Sequence, residues 1–222
     1  MDEVDRVYNE GKLLMRAMDQ PTLRKGKYYE CYTWVEEFYG LMTNGLSSLS
    51  TTLTVPGVGV RNYKNIGYLI DSDRADCFHI AKRDSGSCGD IKNGDFHANP
   101  PDYDTIEELA DYIKENNDIV MNEVNVNVKL EGVVGLFINK CAASNYLLKK
   151  IYIAKRMIKH MTGIDYPIYL YDWNLGKLEL IDLSKEQEEE LIASLDIDQI
   201  QYWPEDLDEA ELIPIDSLEK TK

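Results

Sequence analysis

Residues 119–139 read IVMNEVNVNVKLEGVVGLFIN, and this stretch decides the fold class. Between 120 and 130, Val120, Val124, Val126, Val128 and Leu130 occupy even positions, while Glu123, Asn125, Asn127 and Lys129 share the opposite face. A period of two is that of a strand buried on one side. After Glu131-Gly132, residues 133–138 form an almost unbroken apolar run, the pattern of a strand covered on both faces. The two are expected as a hairpin or as neighbouring strands at the centre of the molecule, with a polar row headed by a carboxylate on one face.

On the N-terminal side, Val4, Val7, Tyr8, Gly11, Leu14, Met15 and Met18 recur at steps of three and four, which predicts one amphipathic helix ending before Gln20-Pro21. A second helix is expected over about 28–41, closed by Asn44-Gly45. The pattern then turns β-branched: LSTTLTV at 49–55 ends on Pro56-Gly57, and 66–71 and 77–83 read as further strands. Residues 84–103 carry three glycines and two prolines without periodicity, the composition of a lid or binding loop. Asp104-Thr105-Ile106-Glu107 is a capping-box pattern that opens a helix ending at Asn116-Asn117.

Beyond the central stretch, a long basic helix is expected to about Met161, with Ala143, Leu147, Ile151, Ala154, Ile158 and Met161 as its buried stripe. Residues 168–173 and 177–181 flank Asn174-Leu175-Gly176, a hairpin. Ser184 with Gln187 caps a last helix to about Leu195. This mixed order predicts an α+β fold: a central, mostly antiparallel sheet with N-terminal helices, a long basic helix after the central strands, and an acidic C-terminal segment. Residues 1–181 are expected as one domain, with 182–222 packed on it or trailing from it.

Charge is distributed unevenly. Residues 182–222 hold fourteen acids and three bases, eleven of the sixteen net negative charges, whereas 132–164 hold six bases and no acid. The overall sign argues against a general nucleic-acid binder. No apolar run is long enough to span a bilayer, and the acidic N-terminus does not read as a signal peptide, so the expected location is cytoplasmic, or a host cytosol after delivery. Cys31, Cys77, Cys88 and Cys141 lack metal-binding spacing, as do His79, His97 and His160, so no metal site is expected. The chain contains no P-loop, GxGxxG after a strand, HExxH or GxSxG.

One set of residues carries chemistry. Arg24 lies in Leu23-Arg24-Lys25-Gly26 before a helix, Ser50, Thr51 and Thr52 lie in the strand after it, and Glu123 is a lone carboxylate on the polar face of a later strand. Together with DTIEELADYIKENNDIVMNEVNV, these segments resemble the arginine/serine/glutamate pattern of bacterial ADP-ribosyltransferase toxins and effectors, over residues 24–138. The resemblance implies NAD as cosubstrate. Arg24 would hold it near its phosphates, the Ser50 and Thr51 hydroxyls would steady the site, and Glu123 would act on the nicotinamide ribose, where a fixed carboxylate stabilises an oxocarbenium-like transition state. Thr52 stands where the pattern prefers Ser, and Met121 stands where transferases acting on arginine carry a second Glu.

Two other readings come from the residues alone. Cys31 near a helix start, with His79 downstream, is the order of a thiol nucleophile and its base, although Tyr28, Tyr29, Tyr32 and Trp34 around it also suit a buried cysteine. The acidic end, with Trp203, Leu207, Leu212, Ile213 and Ile215 among its carboxylates, suits docking on a basic, partly apolar protein partner. On that alternative the protein is a non-enzymatic inhibitor, immunity or assembly component. The same end also suits an internal clasp on the basic helix.

Overall fold

A computed structural model of the chain describes residues 2–18, 29–61, 64–83, 101–116 and 121–193. Among the described residues, five helices and eight strands follow in the order α1 (Glu3–Asn9), β1 (Leu13–Met18), α2 (Tyr29–Thr43), β2 (Leu46–Thr54), β3 (Ile66–Asp71), β4 (Ala75–Ala81), α3 (Ile106–Asn116), β5 (Glu123–Val128), β6 (Val133–Asn139), α4 (Asn145–Thr162), β7 (Ile168–Asp172), β8 (Lys177–Ile181) and α5 (Lys185–Ala193). The strands form one sheet in the order β4-β5-β2-β1-β3-β6-β7-β8. Every pairing is antiparallel except β6 with β7. The α+β class and the mostly antiparallel sheet are as the sequence predicts.

Two local expectations are overturned. The first helix stops at Asn9, because Gly11 takes a left-handed φ of +73° and its N–H turns back to the Tyr8 carbonyl at 3.0 Å. The chain then becomes β1, which lies between β2 and β3. Leu13, Leu14 and Met15 are all fully buried. Covered on both faces, they show no alternation, and their apolar run was compatible with a helical period as well.

The second correction concerns the two central strands. β5 and β6 are not neighbours, since β2, β1 and β3 lie between them. They are joined only by residues 129–132, and β3 is joined to β4, equally remote in the sheet, by the three-residue turn Ser72–Arg74. At about 4.8 Å per strand, four spacings in a flat sheet separate such ends by about 19 Å. Four steps from Asp71 to Ala75 reach only about 14 Å, so the sheet must curl to bring the two strands together. Gly132 accordingly sits against the Val128 side chain and the Arg74 carbonyl.

The helices divide the core in two. One cluster joins α2, α3, α4 and α5 to Tyr68, Val124, Val126, Leu136 and Ile168; the other joins α1 to Met15, Phe137, Tyr169 and Tyr171. α3 opens with a reciprocal cap one residue later than the sequence suggests: Glu108 N–H donates to the Thr105 hydroxyl at 3.2 Å, and the Glu108 carboxylate accepts from Asp104 and Thr105 N–H at 2.9 and 3.2 Å. α4 ends at Gly163, and α5 opens with the expected Ser184–Gln187 box. α5 packs on α4 with Ile192 buried, and Arg156 Nε donates to Glu188 at 2.8 Å. The start of the acidic segment is thus clasped to the basic helix; residues 194–222 lie outside the described residues.

At Gly67 of β3 a Cβ would stand 1.8 Å from the Arg16 carbonyl oxygen of β1. Backbone cannot give way as a side-chain tip can. Gly67→Ala is therefore expected to cost about 3 kcal/mol, as severe overpacking does, and Gly57→Ala, which meets only open space, about 1 kcal/mol from its left-handed backbone. Urea midpoints of the two variants check the ordering.

Candidate functional site

β1 pairs with β2 over only three residues, Leu13–Thr54, Leu14–Leu53 and Met15–Thr52. Beyond them the strands part. β1 stays with β3 as far as Met18–Ile66, whereas β2 stays with β5 as far as Leu46–Val128. A cleft of about 230 Å³ occupies the divergence, lined by Met15, Arg16, Ala17, Ser50, Thr51, Thr52, Lys64, Asn122 and Glu123.

Parting strands leave backbone groups that need other partners. Arg16 supplies one, its Nη1 donating to the Ser50 carbonyl at 3.2 Å. Asn122 supplies two: its amide nitrogen donates to the Leu53 carbonyl at 3.0 Å and its oxygen accepts from Leu53 N–H at 2.8 Å, extending the β2–β5 ladder with a side chain. The other end of the Arg16 guanidinium meets α2, where Nη2 donates to Glu37 Oε1 at 2.6 Å; the Tyr68 hydroxyl donates to Oε2 of the same carboxylate at 2.8 Å. Burial works against the Arg16 charge, but the Glu37 hydrogen bond and charge outweigh it and hold the guanidinium above its ordinary pKa. Burial, and then the Glu37 carboxylate, push the Tyr68 hydroxyl well above the usual tyrosine range.

Of the residues singled out from sequence, Ser50, Thr51 and Glu123 converge on this cleft. Continuing the Thr51–Val124 register by one residue brings Thr52 opposite Glu123, so side-chain alternation sets Ser50 and Thr52 on the face of Glu123 and Thr51 on the other. The Thr51 hydroxyl is committed to the fold, donating to the Val124 carbonyl at 2.7 Å. Ser50 is exposed, and Glu123 is only 6% exposed. The polar row is therefore shielded over its first half: Asn125, next along it, is fully buried, whereas Asn127 is half-buried. Neither polar atom of the Asn125 carboxamide has a hydrogen-bond partner among the described residues.

Arg24 lies outside the described residues, as do Cys88, His97 and residues 84–100 of the proposed loop. Cys31 falls near the start of α2 and His79 is buried in β4. Cys77 and Cys141 are free thiols; burial, then the nearby carboxylates of Asp76, Asp73 and Glu107, push the Cys77 thiol up to about 11, away from nucleophilic use. Among the described residues no group of histidines, cysteines or carboxylates could hold a metal. No helix among them is long and apolar enough to cross a membrane. A larger depression of about 530 Å³ at the far end of β2 and β5 is lined partly by groups that already pair with one another, Asn127 with Asp76 and with Ser48 N–H.

Sequence reasoning missed Arg16 and Lys64. Arg16 is the only charged residue of LLMRAM, a signal that becomes visible once that segment is read as a strand. Lys64 stands in a connection without any pattern. No protein-family model matches the chain, and no curated protein matches it.

Two stability measurements test this account. Glu37→Ala strips the partly buried Arg16 of its counter-charge and Tyr68 of its acceptor, and is expected to cost about 2 kcal/mol, less than a fully buried pair because both side chains keep some solvent contact. Asn125→Val removes a buried carboxamide that makes no bond among the described residues and adds a β-branched side chain, and is expected to stabilise the protein by about 1 kcal/mol. Thermal and urea denaturation read both signs.

Proposed function

We propose that the cleft is the catalytic site of an NAD-consuming ADP-ribosyltransferase or NAD glycohydrolase, with Arg16 in the role that sequence assigned to Arg24. The observation that carries this reading is that an arginine from β1, a serine from β2 and a glutamate from β5 line one gap between adjacent strands, Arg16 from the Thr51 face and Ser50 and Glu123 from the other. Their chain order is that of the arginine/serine/glutamate pattern.

The chemistry follows from the charges. Cleaving the bond between the nicotinamide nitrogen and ribose C1′ releases neutral nicotinamide and leaves positive charge on the ribose. Glu123, fixed and nearly shielded from water, stabilises that charge without reorganising. The Ser50 hydroxyl, on the same face, orients the ribose, and remaining N–H groups of Arg16 take a phosphate oxygen. An acceptor then bonds to C1′ and loses its proton. Met121, two residues before Glu123, brings no second carboxylate, so the acceptor is water or a group on a macromolecule other than arginine, whose guanidinium requires a base. The cleft is smaller than the ~300–1,000 Å³ of pockets that enclose a drug-sized ligand, so its described walls take one end of the dinucleotide.

The rival reading, a binding protein acting through its acidic end, rests on residues 203–215, which lie outside the described residues. Nicotinamide release separates the two. Wild-type protein is expected to release nicotinamide from NAD, and Glu123→Gln to lower the rate at least ~100-fold with little change in melting temperature. No NAD binding by calorimetry, or equal release by the variant, overturns the proposal.

A further inference from the structure

The cleft contains a second cation that the arginine/serine/glutamate pattern does not include. We infer that Lys64 holds the pyrophosphate of the dinucleotide, sharing it with Arg16; this rests on the NAD reading of the cleft.

Arg16 is poorly placed to hold a pyrophosphate alone. One of its terminal nitrogens serves Glu37 and the other the Ser50 carbonyl, so much of its fork keeps the strands and α2 in place. A pyrophosphate has two phosphoryl groups, and an arginine engaged in this way suits one of them. Lys64 lines the same cleft from the segment that enters β3. An ammonium on a flexible stem binds phosphate as a point charge and needs no preset fork.

The position of Lys64 is set by the core. Asn139, fully buried at the end of β6, donates from its amide nitrogen to the Lys64 carbonyl at 3.0 Å and from its backbone N–H to the Asn65 carbonyl at 2.7 Å. The backbone of 64–65 is thereby tied to a strand on the far side of β3. Among the described lining residues, one carboxylate and two cations converge on one cavity, as suits a ligand that becomes positive at one end and carries two anionic groups further along.

The experiment uses the full chain and two probes. In NAD turnover, Lys64→Met is expected to raise KM about tenfold or more while kcat changes less than about twofold, and Lys64→Arg to recover most of the loss, since a charge-assisted hydrogen bond is worth roughly 1.5–3 kcal/mol. In calorimetry with inorganic pyrophosphate, wild type and Lys64→Arg bind, and Lys64→Met binds about tenfold more weakly. If NAD is turned over with the same KM by Lys64→Met, the assignment of Lys64 falls and the NAD reading stands. If wild type releases no nicotinamide yet binds pyrophosphate through Lys64, the NAD reading falls and the anion site stands. If neither probe engages the wild type, both are overturned. Thermal melts of the variants confirm that each is folded.

Discussion

The structure depends on where β1 and β2 stop pairing. Up to Met15 and Thr52 they are ordinary antiparallel neighbours; past that point β1 follows β3 and β2 follows β5. A sheet interior that parts in this way exposes peptide groups in a place water reaches poorly, and an unpaired buried peptide group costs about 1–3 kcal/mol. Side chains take over the work: Arg16 serves the Ser50 carbonyl past the parting, and Asn122 serves both polar groups of Leu53 where the ladder between β2 and β5 ends. The residues that line the cleft are thus in part the residues that make the parting tolerable. Site and fold are the same feature.

The electrostatics extend this coupling to the helical layer. Glu37 sits on α2, accepts from Arg16 on β1 and from Tyr68 on β3, and so ties one helix to two strands through a single carboxylate. Phe38 stacks edge-on against Tyr68 at 5.3 Å between ring centroids, which fixes the same helix by packing. α2 in turn packs on α4, and α4 carries α5. The orientation of the Arg16 guanidinium is therefore set by a chain of contacts that begins with a helix outside the sheet.

Elements with strong local signals were legible in the sequence: α3 through its capping pattern, α4 through its apolar stripe, and β7 with β8 through the intervening Asn174-Leu175-Gly176. β1 was not, because a short strand buried on both faces lacks the alternation that distinguishes it from a helix. The separation of β5 from β6 was hidden for a different reason. A connection of a few residues ordinarily joins neighbours, and only the curl of the sheet, a property of the whole, lets residues 129–132 join strands with three others between them. Of the residues that line the cleft, Ser50, Thr51 and Glu123 are those that the sequence singles out, through chain order and a family resemblance. The division between Ser50, which faces the cleft with Glu123, and Thr51, which donates to Val124, needed the register.

The two short links, Ser72–Arg74 and 129–132, lie where the sheet curls, and the cleft lies where two middle strands splay. The 129–132 link leaves β5 at Val128, opposite Leu46 at the splayed end of β2, and enters β6 at Val133, opposite Ile70, which pairs with Leu14 of β1. The gap is thus bracketed, with the three paired positions of β1 and β2 on one side and a covalent link on the other. Two strands that part inside the sheet are tethered by the chain itself beyond the place where they part.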